Sequence, residues 1–460
     1  MNVDLTDKKT RRIVYLGLFV FSVVFYLIWY WHDGVIMTPD GLTYIDMTSD
    51  REPGYCTFLW VFRAILGKDI CLDVVVIVQC LIAGYAAAAL VMELQRRFQL
   101  HWFWMLSMLV IEYGITLLNR FVAQRRYSYY NSICTEALAY SFWIFFFVSL
   151  LGIVYDRDKK SVITGVVWSI VLITIRKHMM ISLGLLCLAV IYAYLRNKAG
   201  WKAIFYAVCI AVAVFAGTRF IDCVYNDAVR GVFAPHTGDS SFIFGNEIYA
   251  ANKDMAENIS SEENRAIFLE ILERADDNQY NIAYAGEGWM GLEDHYSLSY
   301  DRIKFDTVMP VIREYQEQIG IPEDQRENHY EKIVNEMSRE LLGLCLPDLF
   351  RIFASNVIHG LITTVLKVHR VLNWIALLIY MAYIALILLL AWKKSSRAVE
   401  FSALPFAIAV LTAILVNVVF TSATIYCQMR YMLYNTAFFY QAGLIMLIEG
   451  IRLRKNGEGL

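Results

Sequence analysis

Apolar runs of about 18 to 22 residues recur along this chain, each long enough to cross a hydrocarbon layer about 30 Å thick. Inside such a layer only helices or closed barrels satisfy their own backbone polar groups, and runs of this length imply helices. Composition agrees: the 460 residues are 58% hydrophobic and only 18% charged, against about a quarter in a water-soluble protein. The expected fold class is an all-α polytopic membrane protein with about ten spanning helices, interfacial helices and one mainly helical insert outside the membrane. Spans are expected near residues 13–33, 72–94, 102–119, 134–155, 161–175, 179–195, 203–218, 371–392, 402–421 and 431–451.

Short loops rich in Lys and Arg stay on the cytoplasmic side, and that bias orients the chain. With the N-terminus inside, Arg96 and Arg97, Lys159 and Lys160, then Arg196, Lys198 and Lys202 all fall in inner loops. Lys393, Lys394 and Arg397 follow, and the tail carries Arg452, Arg454 and Lys455. Lys8, Lys9, Arg11 and Arg12 precede an apolar stretch too long for a signal-peptide core, so the first helix reads as a retained anchor. The expected location is the cell membrane, multi-pass, with both termini cytoplasmic. A span at 349–369 would turn the Lys393–Arg397 loop outward. Because that segment holds Arg351, Asn356 and His359, it is expected to lie along the outer interface, as is Tyr55–Leu66.

Three regions follow: an N-terminal membrane module over 1–218 with about seven spans, an acidic extracytoplasmic insert over 219–350, and a C-terminal module over 351–460 with about three. The insert carries 26 acidic and 11 basic side chains, so its surface is strongly negative. Its stretch from Trp289 to Tyr300 has aromatics able to stack on sugars, though core packing is the expected use. The nine cysteines show no metal-binding spacing. They read as unpaired buried thiols, with Cys56–Cys71 and Cys223–Cys345 the alternatives as disulfides.

With the topology set, several basic residues stand on the wrong side. Arg51 lies in the first outer loop (34–71); Arg120, Arg125 and Arg126 lie in 119–133; Arg176 and Lys177 form a tight turn; Arg430 opens the last outer turn. Lipid headgroups or the acidic insert could neutralise them singly. A shared phosphate accounts for the set, because the guanidinium fork matches phosphate oxygens. Asp40 stands just beyond the first span in Thr38-Pro39-Asp40-Gly41-Leu42-Thr43-Tyr44-Ile45-Asp46. A carboxylate there either caps the next turn or takes the proton of an attacking hydroxyl. Glu136, in Cys134-Thr135-Glu136 at the start of a span, is the second acidic candidate, although the helix dipole also favours an acid there.

These residues carry a resemblance to the GT-C superfamily, specifically the family 39-like membrane glycosyltransferases. The Pro-Asp-x-x-x-Tyr element of that family is similar to Pro39-Asp40-Gly41-Leu42-Thr43-Tyr44. Its Arg-x-Pro-Gly-Tyr-x-x-Phe-Leu element is similar to Arg51-Glu52-Pro53-Gly54-Tyr55-Cys56-Thr57-Phe58-Leu59. Thr135-Glu136, Arg176, Pro347-Asp348-Leu349-Phe350 and Arg430-Tyr431 resemble its later elements in order. The resemblance implies transfer of a sugar from a polyprenyl-phosphate-linked donor to a glycan, lipid or protein acceptor at the outer face, usually with inversion. It implies Asp40 as base, Glu136 and the arginines about the lipid phosphate, and Tyr44, Asp46, Tyr55 and Tyr431 bordering the substrate. His178 departs from the family, which often has Pro after the Arg, and the insert matches none of its parts.

Other readings place the chain among lipid-diphosphate-dependent O-antigen ligases or polymerases, or among lipid-linked-sugar transporters. A transporter needs ionisable residues near mid-membrane, where only Glu112 stands out. No Asp-x-Asp element stands in an outer loop, the one at Asp156-Arg157-Asp158 falling in an inner loop. A tightly bound divalent ion is therefore not expected and no cofactor is assigned, although Asp40, Asp46 and Glu136 could meet on a divalent ion. The expected partners are membrane lipids and the donor and acceptor; no nucleic-acid partner is expected.

Overall fold

The computed structural model describes residues 7–122, 127–195, 200–235, 240–366, 370–394 and 402–455. Arg125, Arg126, Arg196, Lys198 and Arg397 lie outside the described residues. The chain is an all-α polytopic membrane protein. It divides into two compact units, one of Met1–His236, Thr364–Val416 and Met432–Leu460, the other of Thr237–Thr363 and Asn417–Tyr431.

The first unit is a helical bundle. Helix α1 (Lys8–Asp33) starts where the Asp7 carboxylate accepts the Thr10 amide, and ends at Gly34, whose φ of +69° suits a residue without Cβ. Two short helices follow, α2 (Gly41–Ile45) and α3 (Pro53–Leu66), before α4 (Cys71–Phe98) runs back beside α1. Their approach is close: a Cβ on Gly84 would stand 2.6 Å from a Val23 methyl. Then come α5 (Trp102–Phe121), α6 (Glu136–Leu151), α7 (Lys159–Ile175), α8 (Ile181–Leu195) and α9 (Gly200–Arg230).

The second unit is built on α10 (Ser240–Ala250), α11 (Glu262–Asp277), α12 (Gly288–Arg302), α13 (Met309–Gln318) and most of α14 (Glu323–Val365). Its core joins Phe244, Ile248, Phe268, Ile271, Tyr296 and Val334. The aromatics Tyr296 and Tyr300 are buried there, as core packing required. The remaining helices are α15 (Ile375–Lys394), α16 (Leu404–Thr424) and α17 (Met429–Lys455).

Among the described residues, ten helices are long and apolar enough to cross a membrane. They differ from the expected ten at two places. Helix α7 has 17 residues and falls short of the length of the others, whereas Gln325–Val365 joins them. The segment expected to lie along the interface, 349–369, is largely the continuation of α14 through Pro347, and the carbonyls of Thr364 and Val365 accept the hydroxyls of Thr436 and Tyr440 in α17. The insert is also bounded differently. Residues 219 and 350 both fall inside helices, α9 and α14, and the second unit takes in 417–431, from α16, the turn after it and the first residues of α17. All nine cysteines are free.

Successive helices reverse direction, so two sets of residues collect at opposite ends of the first unit. One end gathers Asp33 with Arg120, 36–37 with 132–133, Glu52 with Lys177, and Arg230 with 47–48. The other gathers Arg96, Arg97 and Asp156, Tyr155 with Ser402, and Arg452 with Phe98.

Candidate active site

Two local devices build the first end. Past Gly34 the chain forms β1 (Ile36–Met37), which pairs in parallel with β2 (Ser132–Ile133), and the Thr38 hydroxyl donates to the Ile133 carbonyl at 2.6 Å. The loop after α1 is thereby zipped to the loop before α6. The second device is Pro53-Gly54 at the start of α3. Proline supplies the fixed φ of a first helical turn. Gly54 passes so near the end of α7 that a Cβ would stand 2.8 Å from the Thr174 carbonyl oxygen. That crossing carries Glu52 to the Arg176–Lys177 turn, where its carboxylate accepts the Lys177 amide at 3.1 Å.

Asp40 precedes α2, but its side chain makes no capping bond to that helix. Its carboxylate instead accepts Arg51 Nη2 at 2.9 Å, and it is 40% exposed. Arg51 also donates Nε to the Thr43 hydroxyl at 2.8 Å and Nη1 toward the Tyr44 hydroxyl at 3.4 Å, with its guanidinium 4.7 Å from the Tyr44 ring centre. Three faces of the guanidinium are thus engaged by α2 and its cap. Arg51 fixes Asp40 in place, a role the motif alone did not reveal.

Arg176, in extended backbone between α7 and α8, reaches Glu136 Oε1 at 2.6 Å and the Thr135 hydroxyl at 3.1 Å. This pair is mostly buried, at 12% and 6% exposure. Tyr44 stands between the two pairs: Arg51, Glu52, Arg176 and Glu136 all act on its hydroxyl electrostatically, and burial pushes that phenol well above its ordinary pKa. From α17, the buried Tyr434 hydroxyl is also within the field of Arg176 and Glu136, and its ring packs 4.2 Å from Tyr140. Lys177 is exposed and makes no ion pair among the described residues.

The other expected residues have separate fates. Tyr55 is fully buried and gives its hydroxyl to Gln79 at 2.9 Å, so it forms the floor beneath Tyr44, whose ring it meets edge-on at 5.3 Å. Asp46 is exposed at the end of α2. Arg120 pairs with Asp33 and lies 4.6 Å over the Trp29 ring, an anchor between α5 and α1. Arg430 and Tyr431 belong to the second unit, where Arg430 Nη2 donates to the Tyr431 hydroxyl at 3.0 Å. Asp40, Asp46 and Glu136 do not converge, and no group of three or more His, Cys, Asp or Glu suited to a metal ion occurs among the described residues.

Sequence reasoning missed Glu52, Thr43 and Tyr434. Glu52 lies inside the quoted Arg-x-Pro-Gly-Tyr element, at its variable position. Tyr434 carried no signal, being one aromatic among many in α17. The arrangement offers a half-exposed carboxylate held by an arginine, a buried Arg–Glu pair, and an exposed ammonium at one end of a membrane bundle. Such a set can accept a proton and bind an anion. No protein family matches the sequence, and no curated protein or solved structure resembles the chain.

Proposed function

We propose that this protein is an integral membrane glycosyltransferase that moves a sugar from a polyprenyl-phosphate donor to a hydroxyl acceptor, at the end of the bundle bearing Asp40. The supporting observation is Asp40 itself: its half-exposed carboxylate is oriented by Arg51 at 2.9 Å. In the proposed reaction the acceptor O–H gives its proton to the Asp40 carboxylate. The acceptor oxygen bonds to the anomeric carbon, the carbon–phosphate-oxygen bond breaks, and polyprenyl phosphate leaves with the bonding pair. Attack opposite the leaving group inverts the anomeric centre.

Arg176 and Lys177 are the proposed cations for the leaving phosphate. Glu136 neutralises Arg176 within a site of low polarity, and a phosphate dianion would compete with it for the guanidinium. The orientation belongs to this reading too: Arg96, Arg97, Lys159 and Lys160 lie at the opposite end, which the charge bias assigns to the cytoplasm of a cell membrane.

In the test, Asp40→Asn is expected to insert and fold yet lose about 10²- to 10⁴-fold in sugar transfer from a polyprenyl-phosphate donor. Undiminished transfer overturns the assignment. A second reading, transport of a lipid-linked sugar, draws on Glu112, which is 2% exposed within α5 and accepts Gln441 Nε2 at 3.3 Å. It requires Glu112→Gln to abolish translocation of the lipid-linked sugar while Asp40→Asn leaves it intact.

A further inference from the structure

We propose that Arg230, the last residue of α9, is a positioning residue for the loop that carries Arg51 and Glu52. The proposal rests on the role given above to that loop and to the Arg176–Lys177 turn. Arg230 Nη2 donates to two consecutive carbonyls, Met47 and Thr48, each at 2.8 Å. The Thr48 carbonyl also accepts the Arg51 amide at 3.2 Å, so one oxygen joins the guanidinium of Arg230 to the backbone of Arg51. Met47 has a φ of +56°, the left-handed region that side-chain-bearing residues rarely adopt. A turn of that kind needs support from outside itself, and one guanidinium nitrogen bridging two carbonyls, with the other held by Asn226, gives it.

The same corner is tied on its other side. Tyr225, about one turn earlier in α9, is buried with its hydroxyl within electrostatic reach of the Cys56 thiol in α3, five residues beyond Arg51. Asn226 accepts from Arg230 and donates to the Ala234 carbonyl at 2.8 Å. The end of α9 therefore hydrogen-bonds the chain before Arg51, packs beside α3 after it, and ties the Ala234 carbonyl. The effect passes onward through Glu52, whose carboxylate holds the Lys177 amide. Arg230 touches neither Asp40 nor Arg176. It acts through the backbone between them.

The test uses the full-length protein in lipid nanodiscs, read by hydrogen exchange and by binding of undecaprenyl phosphate. Arg230→Ala is expected to speed exchange over residues 47–52 by about tenfold, with Arg230→Lys intermediate, since one ammonium replaces a fork. Arg219→Ala, elsewhere on α9, is expected to leave that segment unchanged. Undecaprenyl phosphate affinity should fall about three- to tenfold in Arg230→Ala, less in Arg230→Lys, with the melting temperature nearly constant. Unchanged exchange at 47–52 overturns the proposal, as does a rise spread equally over α3 and α4, or a loosened loop with undiminished affinity in a protein that Arg176→Ala weakens. If Arg230→Ala fails to insert, Arg230→Lys decides on the same readings. Should Arg176→Ala leave undecaprenyl phosphate binding intact, the phosphate reading fails, while the local exchange still decides whether Arg230 holds the loop.

Discussion

The two ends of the first unit both carry buried arginines, and they use them differently. At the end away from Asp40, Arg97 is 1% exposed and meets Glu93 at 2.6 Å and Asp156 at 2.7 Å, while Arg96 binds both of the same carboxylates at 2.9 Å. Two cations and two carboxylates close on one another, and Arg452 is spent on the carbonyls of Phe98 and Gln99. At the Asp40 end the charges form separate pairs, each resting on a loop, with Asp40 half-exposed and Lys177 open. A closed network fastens helices. Separate pairs on loops leave groups that can exchange partners with an incoming anion.

The difference is open to attack from several sides. The largest expected loss of stability is at the closed end: Arg97→Met removes the buried member of the network, leaves Glu93 and Asp156 to Arg96 alone, and should cost about 2–3 kcal/mol, read as a drop in thermal stability of the solubilised protein. Asp40→Asn should leave that melting temperature nearly unchanged. A loss of stability as great as that of Arg97→Met would erase the contrast. A buried acid with no cation sharpens it. Glu247, in the core of the second unit, hydrogen-bonds only Ser338 through one oxygen, and burial pushes its carboxyl up to about 7 from 4.5. Because the folded value is the higher one, the stability it contributes is complete below about 4.5 and is lost as pH rises through about 7. Thermal unfolding of the whole chain between those values should show that decline, and Glu247→Gln should flatten it. The smallest effect belongs to Tyr55→Phe, which removes a buried bond to Gln79. That change should cost about 1–2 kcal/mol, seen in the same melting assay, because the Gln79 acceptor is left unpaired.

Much of the bundle is legible in the sequence, since a span needs only length and apolarity. Helix α14 escaped because its polar residues look unfit for a membrane helix until their partners are seen. Asn356 exchanges two hydrogen bonds with the 425–427 backbone, and His359 sits between Glu293 and Tyr426, 2.8 and 2.9 Å away. Periodicity cannot register partners that arrive from 60 or more residues away. The site shows the same division. Asp40, Arg51, Glu136 and Arg176 stand out as charges placed on one side of a threaded chain. Which charge meets which is decided by the crossing at Gly54 and the zipping of β1 to β2, and neither is written in local propensity.

That short parallel pairing has a bearing on how the protein is made. Ile36 meets Ser132 across nearly a hundred residues, so a nascent chain inserted only as far as α5 holds Asp40 and Arg51 without the strand that seats them. The first loop must wait while α4 and α5 are synthesised, and contacts of such separation form late. A chain arrested before α6 should therefore present its Asp40 loop to proteases, and one released after α8 should not. Seating of the Asp40 loop is thus completed only when the neighbouring helices have arrived.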